Sequence, residues 1–435
     1  MESSTEITAY LGKPMPMSFN TITDVLPHAT QLTRIDVRIT DFQFTHQSFL
    51  NFLQTPMPNL SWIALGVVPG GLPHSNLIFE FSPQRFPALT ALSLTGIGLK
   101  CTSLGNLRTL DLHDFPKQPA TITFNGLLDL LDSGSYLTQL TLDNYLTMAF
   151  NDQPSRRAPV TMRALKELYI RDIPQQIVRL LHHLRQLPRC TTIGGLYGTT
   201  PFERQPSNFN AFLAMLPPAR LDLYYAMCTD IATAKLELSD DTIGLACKGR
   251  QGDLVLEVHS TLRTRRETRP ESYNAAYSAV VASAGAILGI ARALATLECT
   301  GTQIAVEHGA LVNVFLGCVS LRHLTIVDPY LGHTARGVLA ALVSDGTQRA
   351  LCPYLECLTV RQATYAPELM DAVMRLLRSR ERQGRRLKRL ELMLQAQVVP
   401  KGKDRYGQPT YEFVGARSWE KELLTLVDSV QITDL

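Results

Sequence analysis

Three places in the chain combine residue types and spacings that could support chemistry: His182 with His183, Cys352 with Cys357, and the turn Gly194-Gly195-Leu196-Tyr197-Gly198. A phosphate cradle needs a Lys-Ser or Lys-Thr after its glycines to reach phosphate and metal. None follows here, which leaves an ordinary turn. Neighbouring helix positions point in different directions, so the two histidines cannot chelate together and are expected at the surface. The cysteines lack Cys-x-x-Cys spacing, and Cys357 falls inside a strand-like phrase, so both are expected to behave as small hydrophobes. G-x-S-x-G and His-Glu-x-x-His are missing as well. The expectation is a protein that is not an enzyme and uses no metal or cofactor.

Charge offers one sharper feature. Arg375, Arg378, Arg380, Arg382, Arg385, Arg386, Lys388 and Arg389 form a basic run, interrupted by Glu381, that could grip an acidic partner or simply line a solvated helix face. Arg263, Arg265, Arg266 and Arg269 form a smaller cluster on what reads as an exposed loop. The net charge of +3 over 435 residues is too mild for a nucleic-acid partner, which needs many cations on one face. Eight scattered cysteines suggest a reducing compartment, and the first residues lack a basic stretch followed by an apolar run. A cytoplasmic or nuclear location is expected. Residues 273–297 are rich in Ala and Gly and nearly uncharged. Small side chains supply little membrane transfer energy, so a helix packed inside the protein is the better reading, and no membrane partner is expected.

The elements that would position any site follow from one recurring phrase, L-x-x-L-x-L with aliphatic or small substitutes. It appears as Leu32-Ile35-Val37, Leu60-Ile63-Leu65, Leu89-Leu92-Leu94, Leu107-Leu110-Leu112, Leu137-Leu140-Leu142 and Leu165-Leu168-Ile170. Later copies are Leu321-Leu324-Ile326, Leu355-Leu358-Val360 and Leu387-Leu390-Leu392. Weaker ones occur at Ser4-Ile7-Ala9, Cys190-Ile193-Leu196, Leu221-Leu223, Leu236-Leu238 and Leu294-Leu297. Leu32 to Leu60 is 28 residues, Leu137 to Leu165 is 28 and Leu355 to Leu387 is 32. These intervals lie near or beyond the upper end of the roughly 20–29 residues of leucine-rich repeats, which implies full helices on the outer face. The last two apolar residues of each phrase share one side of a short strand, and a single unit cannot bury them alone. Stacked parallel strands can. Apolar spacing predicts the crossover helices at 45–53, 124–131, 175–187, 207–216, 307–316, 334–343 and 367–378. The fold expected is an α/β leucine-rich-repeat solenoid, with parallel strands on the concave face and helices on the convex face.

Residues alternating with the buried leucines must face out of the strand layer. On that ground the candidate protein-binding residues are Asp36, Arg38, Asp111, His113, Asp143, Tyr169, Arg171, Asp222, Tyr224 and Arg361, with Thr141 and Thr359 beside them. Aromatic, Arg and Asp side chains there suit a polar interface with a few anchors. The regular pattern weakens after Leu223. The expected organisation is therefore an N-terminal repeat half over 1–230, irregular strands and an exposed loop over 231–272, and a second repeat half with a cap over 273–435.

Three phrases resemble the repeat region of fungal F-box/leucine-rich-repeat proteins: Cys352-Pro353-x-Leu355-Glu356-x-Leu358-Thr359-Val360, then Leu376-Leu377-x-Ser379-Arg380 with Leu387-Lys388-Arg389-Leu390-Glu391-Leu392, and Val427-Asp428-x-Val430. The resemblance implies repeats that hold a protein substrate for a cullin-type ubiquitin ligase, with an F-box docking a Skp-type adaptor. No Leu-Pro-x-Glu phrase of an F-box is legible near Met1. The expectation is an F-box lost, or carried on a longer product, and the alternative is a free-standing scaffold without ligase connection. The family's usual Asn or Cys after the last leucine is replaced by Ile97, Phe115, Tyr145, Ile173, Pro329 and Ala363. That predicts turns held by packing alone.

Overall fold

The computed structural model describes residues 6–11, 17–19, 22–39, 51–67, 78–114, 123–146, 158–197, 210–260, 270–301, 304, 306–329, 333–343, 351–403 and 409–434. The architecture is mixed α/β, and the chain divides into two compact units, Met1–Gly194 and Gly195–Leu435. Each is built on a mostly parallel sheet. No closed barrel forms among the described residues.

The first unit contains β1 (Glu6–Tyr10), β2 (Met17–Phe19), β3 (Arg34–Ile39), β4 (Trp62–Val67), β5 (Ile78–Glu80), β6 (Ala91–Thr95), β7 (Gly98–Lys100), β8 (Thr109–His113), β9 (Gln139–Asp143) and β10 (Glu167–Asp172). Its sheet runs β3-β4-β6-β8-β9-β10, all parallel and in register. Ile35, Ile63, Leu92, Leu110, Leu140 and Leu168 stand side by side as one row. Val37, Leu65, Leu94, Leu112, Leu142 and Ile170 form the next, and both rows are buried. The first leucines of the phrases, Leu32 through Leu165, are buried too. The triplets thus pile up as adjacent rungs, as their spacing required. The weak copy at Ser4-Ile7-Ala9 does not join them. Ile7 and Ala9 lie in β1, antiparallel to Val37 and Ile35, and β2 folds back on β1 as a hairpin; Ser4 lies outside the described residues.

The expectation of a full helix behind every strand is met only in part in this unit. Helix Phe124–Ser133 packs where predicted, with Thr123 Oγ1 accepting from Gly126 N–H at 3.0 Å as a cap, while Pro174–His182 stops short of the predicted end at 187. Leu89 to Leu107 is only 18 residues, too short for a strand, a helix and two turns. In that interval β7 takes the helix's place, pairing in parallel with β5 of the preceding interval, where Phe79, Phe81 and Phe86 form a buried aromatic cluster. Of the predicted 45–53 helix, residues 45–50 lie outside the described residues, and 51–54 are helical.

The second unit contains β12 (Ile231–Leu238), β13 (Thr242–Gly249), β14 (Asp253–Ser260), β15 (Thr296–Thr300), β16 (His323–Val327), β17 (Cys357–Thr364), β18 (Leu387–Gln395), the antiparallel pair β19 (Gln397–Lys403) and β20 (Pro409–Val414), and β21 (Val427–Asp434). Strand β11 (Cys190–Tyr197) spans the boundary at Gly194. The parallel run is β12-β15-β16-β17-β18-β21, extended beyond β12 by the antiparallel strands β13 and β14. Leu297, Leu324, Leu358, Leu390 and Val430 share one row. Helices Pro270–Ile290, His308–Leu316, His333–Ala341, Pro367–Arg382 and Glu420–Leu426 pack successively against one another. The 273–297 segment is therefore a packed helix as far as Ile290, with Val280, Val281, Ala284, Ile287 and Leu288 buried, and then turns into β15. No helix among the described residues is long and apolar enough to cross a membrane.

Three expectations are corrected here. The alternation Leu221-Asp222-Leu223-Tyr224 is not a strand but the start of helix Leu221–Thr229. Leu223, Tyr224, Met227 and Cys228 are buried, an i, i+1, i+4, i+5 pattern that a four-residue window mistakes for alternation. Residues 207–216 supply only a 3-10 turn, Leu213–Met215, closed by Pro217-Pro218; 207–209 lie outside the described residues. The turns, finally, are not held by packing alone. Along one edge Ser61 N–H donates to Thr33 O, Thr90 to Ser61, Arg108 to Thr90, Thr138 to Arg108 and Lys166 to Thr138, at 2.7–2.9 Å. At the other edge the residue just past the strand takes the left-handed conformation at Gly96, Asp114 and Asn144. Each of these three donates its N–H to the carbonyl of the next rung, His113, Asp143 or Arg171. Of the residues in the place of the usual Asn or Cys, Ile97, Tyr145 and Ala363 are buried, Ile173 is half-buried, Pro329 is exposed, and Phe115 lies outside the described residues.

Candidate functional site

Strand alternation leaves one face of the first unit's sheet without buried leucines, and its rows follow from the register. Arg34, Trp62, Ala91, Thr109, Gln139 and Glu167 form the first row; Asp36, Ala64, Ser93, Asp111, Thr141 and Tyr169 the second; Arg38, Gly66, Thr95, His113, Asp143 and Arg171 the third. Asp36, Arg38, Asp111, His113, Asp143, Tyr169 and Arg171, all expected from sequence, are therefore brought onto a single open face. None of them is sealed in the core.

The tightest contacts lie across the last three strands. Arg171 grips Asp143 with both arms of its fork, Nε to Oδ1 at 2.7 Å and Nη2 to Oδ2 at 2.6 Å. His113 Nδ1 stands 3.5 Å from the same Oδ2. The Asp143 hydrogen bond raises the His113 pKa above its ordinary value, with burial opposing and the charges of Asp143, Asp111 and Asp114 assisting. Burial on its own would raise Asp143. The hydrogen bonds and charges of His113 and Arg171 outweigh it and hold the carboxyl below its ordinary range. In the first row, Thr109 donates to Gln139 (3.0 Å), and Gln139 donates to Glu167 (2.8 Å). At the opposite end the Arg34 guanidinium lies 3.8 Å from the Trp62 ring centroid, and Arg38 approaches Asp36 at 3.8 Å. Between these two groups the floor is made of small residues, Ala64, Gly66, Ala91, Ser93 and Thr95. A Cβ on Gly66 would meet nothing nearer than the Thr95 Cβ, at 3.7 Å.

The remaining predicted residues do not join that face. Arg361 is exposed on β17 in the second unit, and Thr359, one pleat repeat before it, donates to Glu391 at 3.2 Å. Asp222 is an exposed helical residue paired with Arg220 at 3.1 Å, and burial of Tyr224 pushes its hydroxyl pKa up. Helix Leu221–Thr229 thus removes both from the candidate interface. His183 is corrected also. It is buried as the C-cap of helix Pro174–His182, its ring edge-on to Phe124 at 5.5 Å, while His182 stays exposed. Cys352 is buried and burial raises its thiol pKa to about 12; Cys357 sits in β17 as read.

The basic run is largely absorbed by the fold. Arg380 is buried, donating to the carbonyls of Cys352 (3.4 Å) and Leu355 (3.1 Å). Arg378 pairs with Glu422, Arg386 with Asp428, Lys388 with Glu356 and Arg389 with Glu391. The cluster Arg263, Arg265, Arg266 and Arg269 lies outside the described residues.

Sequence reading missed several groups. Asp172 and Asp328 are fully buried turn carboxylates: Asp172 accepts from Leu146 N–H (2.6 Å) and Ile173 N–H (2.8 Å), and Asp328 from Ala335 N–H (2.8 Å). Their signal, an acid directly after the L-x-L-x phrase, is present in the sequence. A second relay joins Thr242 Oγ1 to His259 Nδ1 (3.2 Å) and His259 Nε2 to Glu257 (3.0 Å) across β13 and β14. Such a chain can activate a hydroxyl. Gly244, Ala246 and Val255 follow on the same face, and the triplet ties the two strands together. Among the described residues no group of three or more His, Cys, Asp or Glu could hold a metal ion. No family model matches the sequence, and no curated protein matches it.

Proposed function

We propose that the chain is a protein-binding module: a leucine-rich-repeat solenoid whose parallel strands line a concave face, similar to the substrate-recruiting region of an F-box-type ubiquitin-ligase receptor. The observation that carries the reading is the open face of the first unit. There a trough of small side chains from Ala64 to Thr95 lies between Arg34, Trp62 and Arg38 on one side and His113, Asp143, Tyr169 and Arg171 on the other. Aromatic and Arg anchors around a low floor are what a protein partner segment needs, and the Asp143 cluster holds its side chains in place before binding. Regular rungs with outward-facing alternate side chains support a repeat array that binds a partner.

A photo-crosslinking residue installed at Ser93 and, separately, at exposed Gln175 on the helical side tests the assignment of the face. Discrete adducts from the Ser93 position alone are expected, and adducts only from the Gln175 position would refute it. The ligase part rests on resemblance and is tested by co-purification of the full-length product with a Skp-type adaptor. Repeated failure to capture the adaptor removes that role and leaves the free-standing scaffold.

A further inference from the structure

The strand-entry edges of the two units are built alike but charged differently. In the second unit, Arg322, Glu356 and Lys388 occupy matching positions on successive rungs, shown by Glu356 N–H donating to Arg322 O and Lys388 N–H to Glu356 O. Glu356 is held between the two cations, 3.6 Å from Arg322 and 3.1 Å from Lys388. That edge carries an acidic partner between its two cations.

In the first unit the matching residues are Arg108, Thr138 and Lys166, linked by the same backbone ladder. Arg163 lies in the turn entering β10, and Arg189 precedes Cys190, whose N–H bonds Lys166 O at 3.1 Å. All four cations are exposed, and among the described residues none has an acidic partner within ion-pair distance. Tyr136, 60% exposed, stands in the turn between the Arg108 and Lys166 rungs. Arg108 and Lys166 lie two rungs apart with Thr138 between them, and Arg189 precedes the rung next to Lys166; like charges gathered on one edge repel, a cost that an incoming anion relieves.

We infer that this edge, Arg108, Tyr136, Arg163, Lys166 and Arg189, docks an acidic segment of a protein partner. Rungs are about 4.8 Å apart, so Arg108 and Lys166 are separated by roughly 10 Å. Carboxylates on alternate residues of an extended peptide recur roughly every 7 Å, within reach of long, flexible Arg and Lys side chains. Tyr136 adds an amphipathic surface for the peptide's apolar atoms. Four cations fall short of the roughly 6–10 phosphate contacts of a typical DNA binder, which favours a peptide over nucleic acid. The inference stands on this edge and not on the open-face reading, and the two are tested by different residues.

The full chain is titrated into a fluorescein-labelled peptide of alternating Glu and Gly, with fluorescence anisotropy as the readout. Saturable binding that weakens with salt is expected, and the R108E/K166E variant weakens it about tenfold. R375E/R382E changes net charge equally on helix Pro367–Arg382 and leaves binding unchanged. Should the reversed variant fail to fold by circular dichroism, R108Q/K166Q replaces it, with about a threefold loss expected. Absence of saturable binding at low salt, equal losses in the edge variant and the helix variant, or tighter edge-dependent binding of an oligothymidylate would each overturn the inference.

Discussion

His113 and Asp143 determine each other's charge, and the signs of their shifts define a pH window. A histidine whose folded pKa is raised stabilises the fold fully below its ordinary value of 6.5, and that contribution is lost as pH rises through the raised value. Asp143 behaves oppositely: its contribution is present above the ordinary 3.8 and disappears as pH falls through its lowered value. The cluster is therefore at full strength in mildly acidic solution. D143N is expected to drop the His113 pKa below its wild-type value in an NMR titration of the imidazole resonances; an unchanged titration would break the assigned coupling. At this scale the sequence revealed which side chains leave the sheet, since a period of two decides it locally. It did not reveal that Arg171 reaches Asp143, because that contact joins residues 28 apart and depends on strand register.

Among the elements, the Ala- and Gly-rich helix Pro270–Ile290 shows how small residues act through close approach. A Cβ on Gly285 would lie 2.2 Å from Asn313 O, and one on Gly317 would lie 2.4 Å from Gly285 O. Backbone atoms cannot give way as a side chain tip can. G285A is expected to cost about 1–3 kcal/mol in chemical denaturation, the range of overpacking. G309A, on the neighbouring helix His308–Leu316 with nothing within 4 Å of the added methyl, should be neutral or stabilise by up to about 1 kcal/mol. Equal effects from the two substitutions would contradict the packing described. Composition showed that 273–297 holds a packed helix, yet which glycine touches which carbonyl belongs to the helix pair. The misread strand at Leu221 has the converse cause. Two leucines two apart satisfy a strand pattern, and only burial of Met227 and Cys228 one turn later distinguishes the helix.

For the molecule as a whole, the parallel rows set each rung between its neighbours. Leu140 stands between Leu110 and Leu168 and is buried, so L140A should cost about 2–5 kcal/mol. If the proposed repeat array is right, hydrogen exchange in that variant will quicken in β8, β9 and β10 while β15 through β18 keep their protection. Uniform loss across both units would argue for a single cooperative core instead. By itself the sequence determined that aliphatic triplets recur along the chain, that the strong ones form strands with one buried side, and which side chains of those strands are left facing outward. These are consequences of local periodicity and of the need to bury leucine. Only the tertiary structure decided that β1 and β2 close the first sheet as an antiparallel hairpin, that Asp222 and Tyr224 ride a helix, and that the basic run is spent on internal pairs. The physical reason is common to all three: each outcome depends on which distant segment supplies the hydrogen bonds, the apolar cover or the countercharge, and no window of neighbouring residues contains that partner.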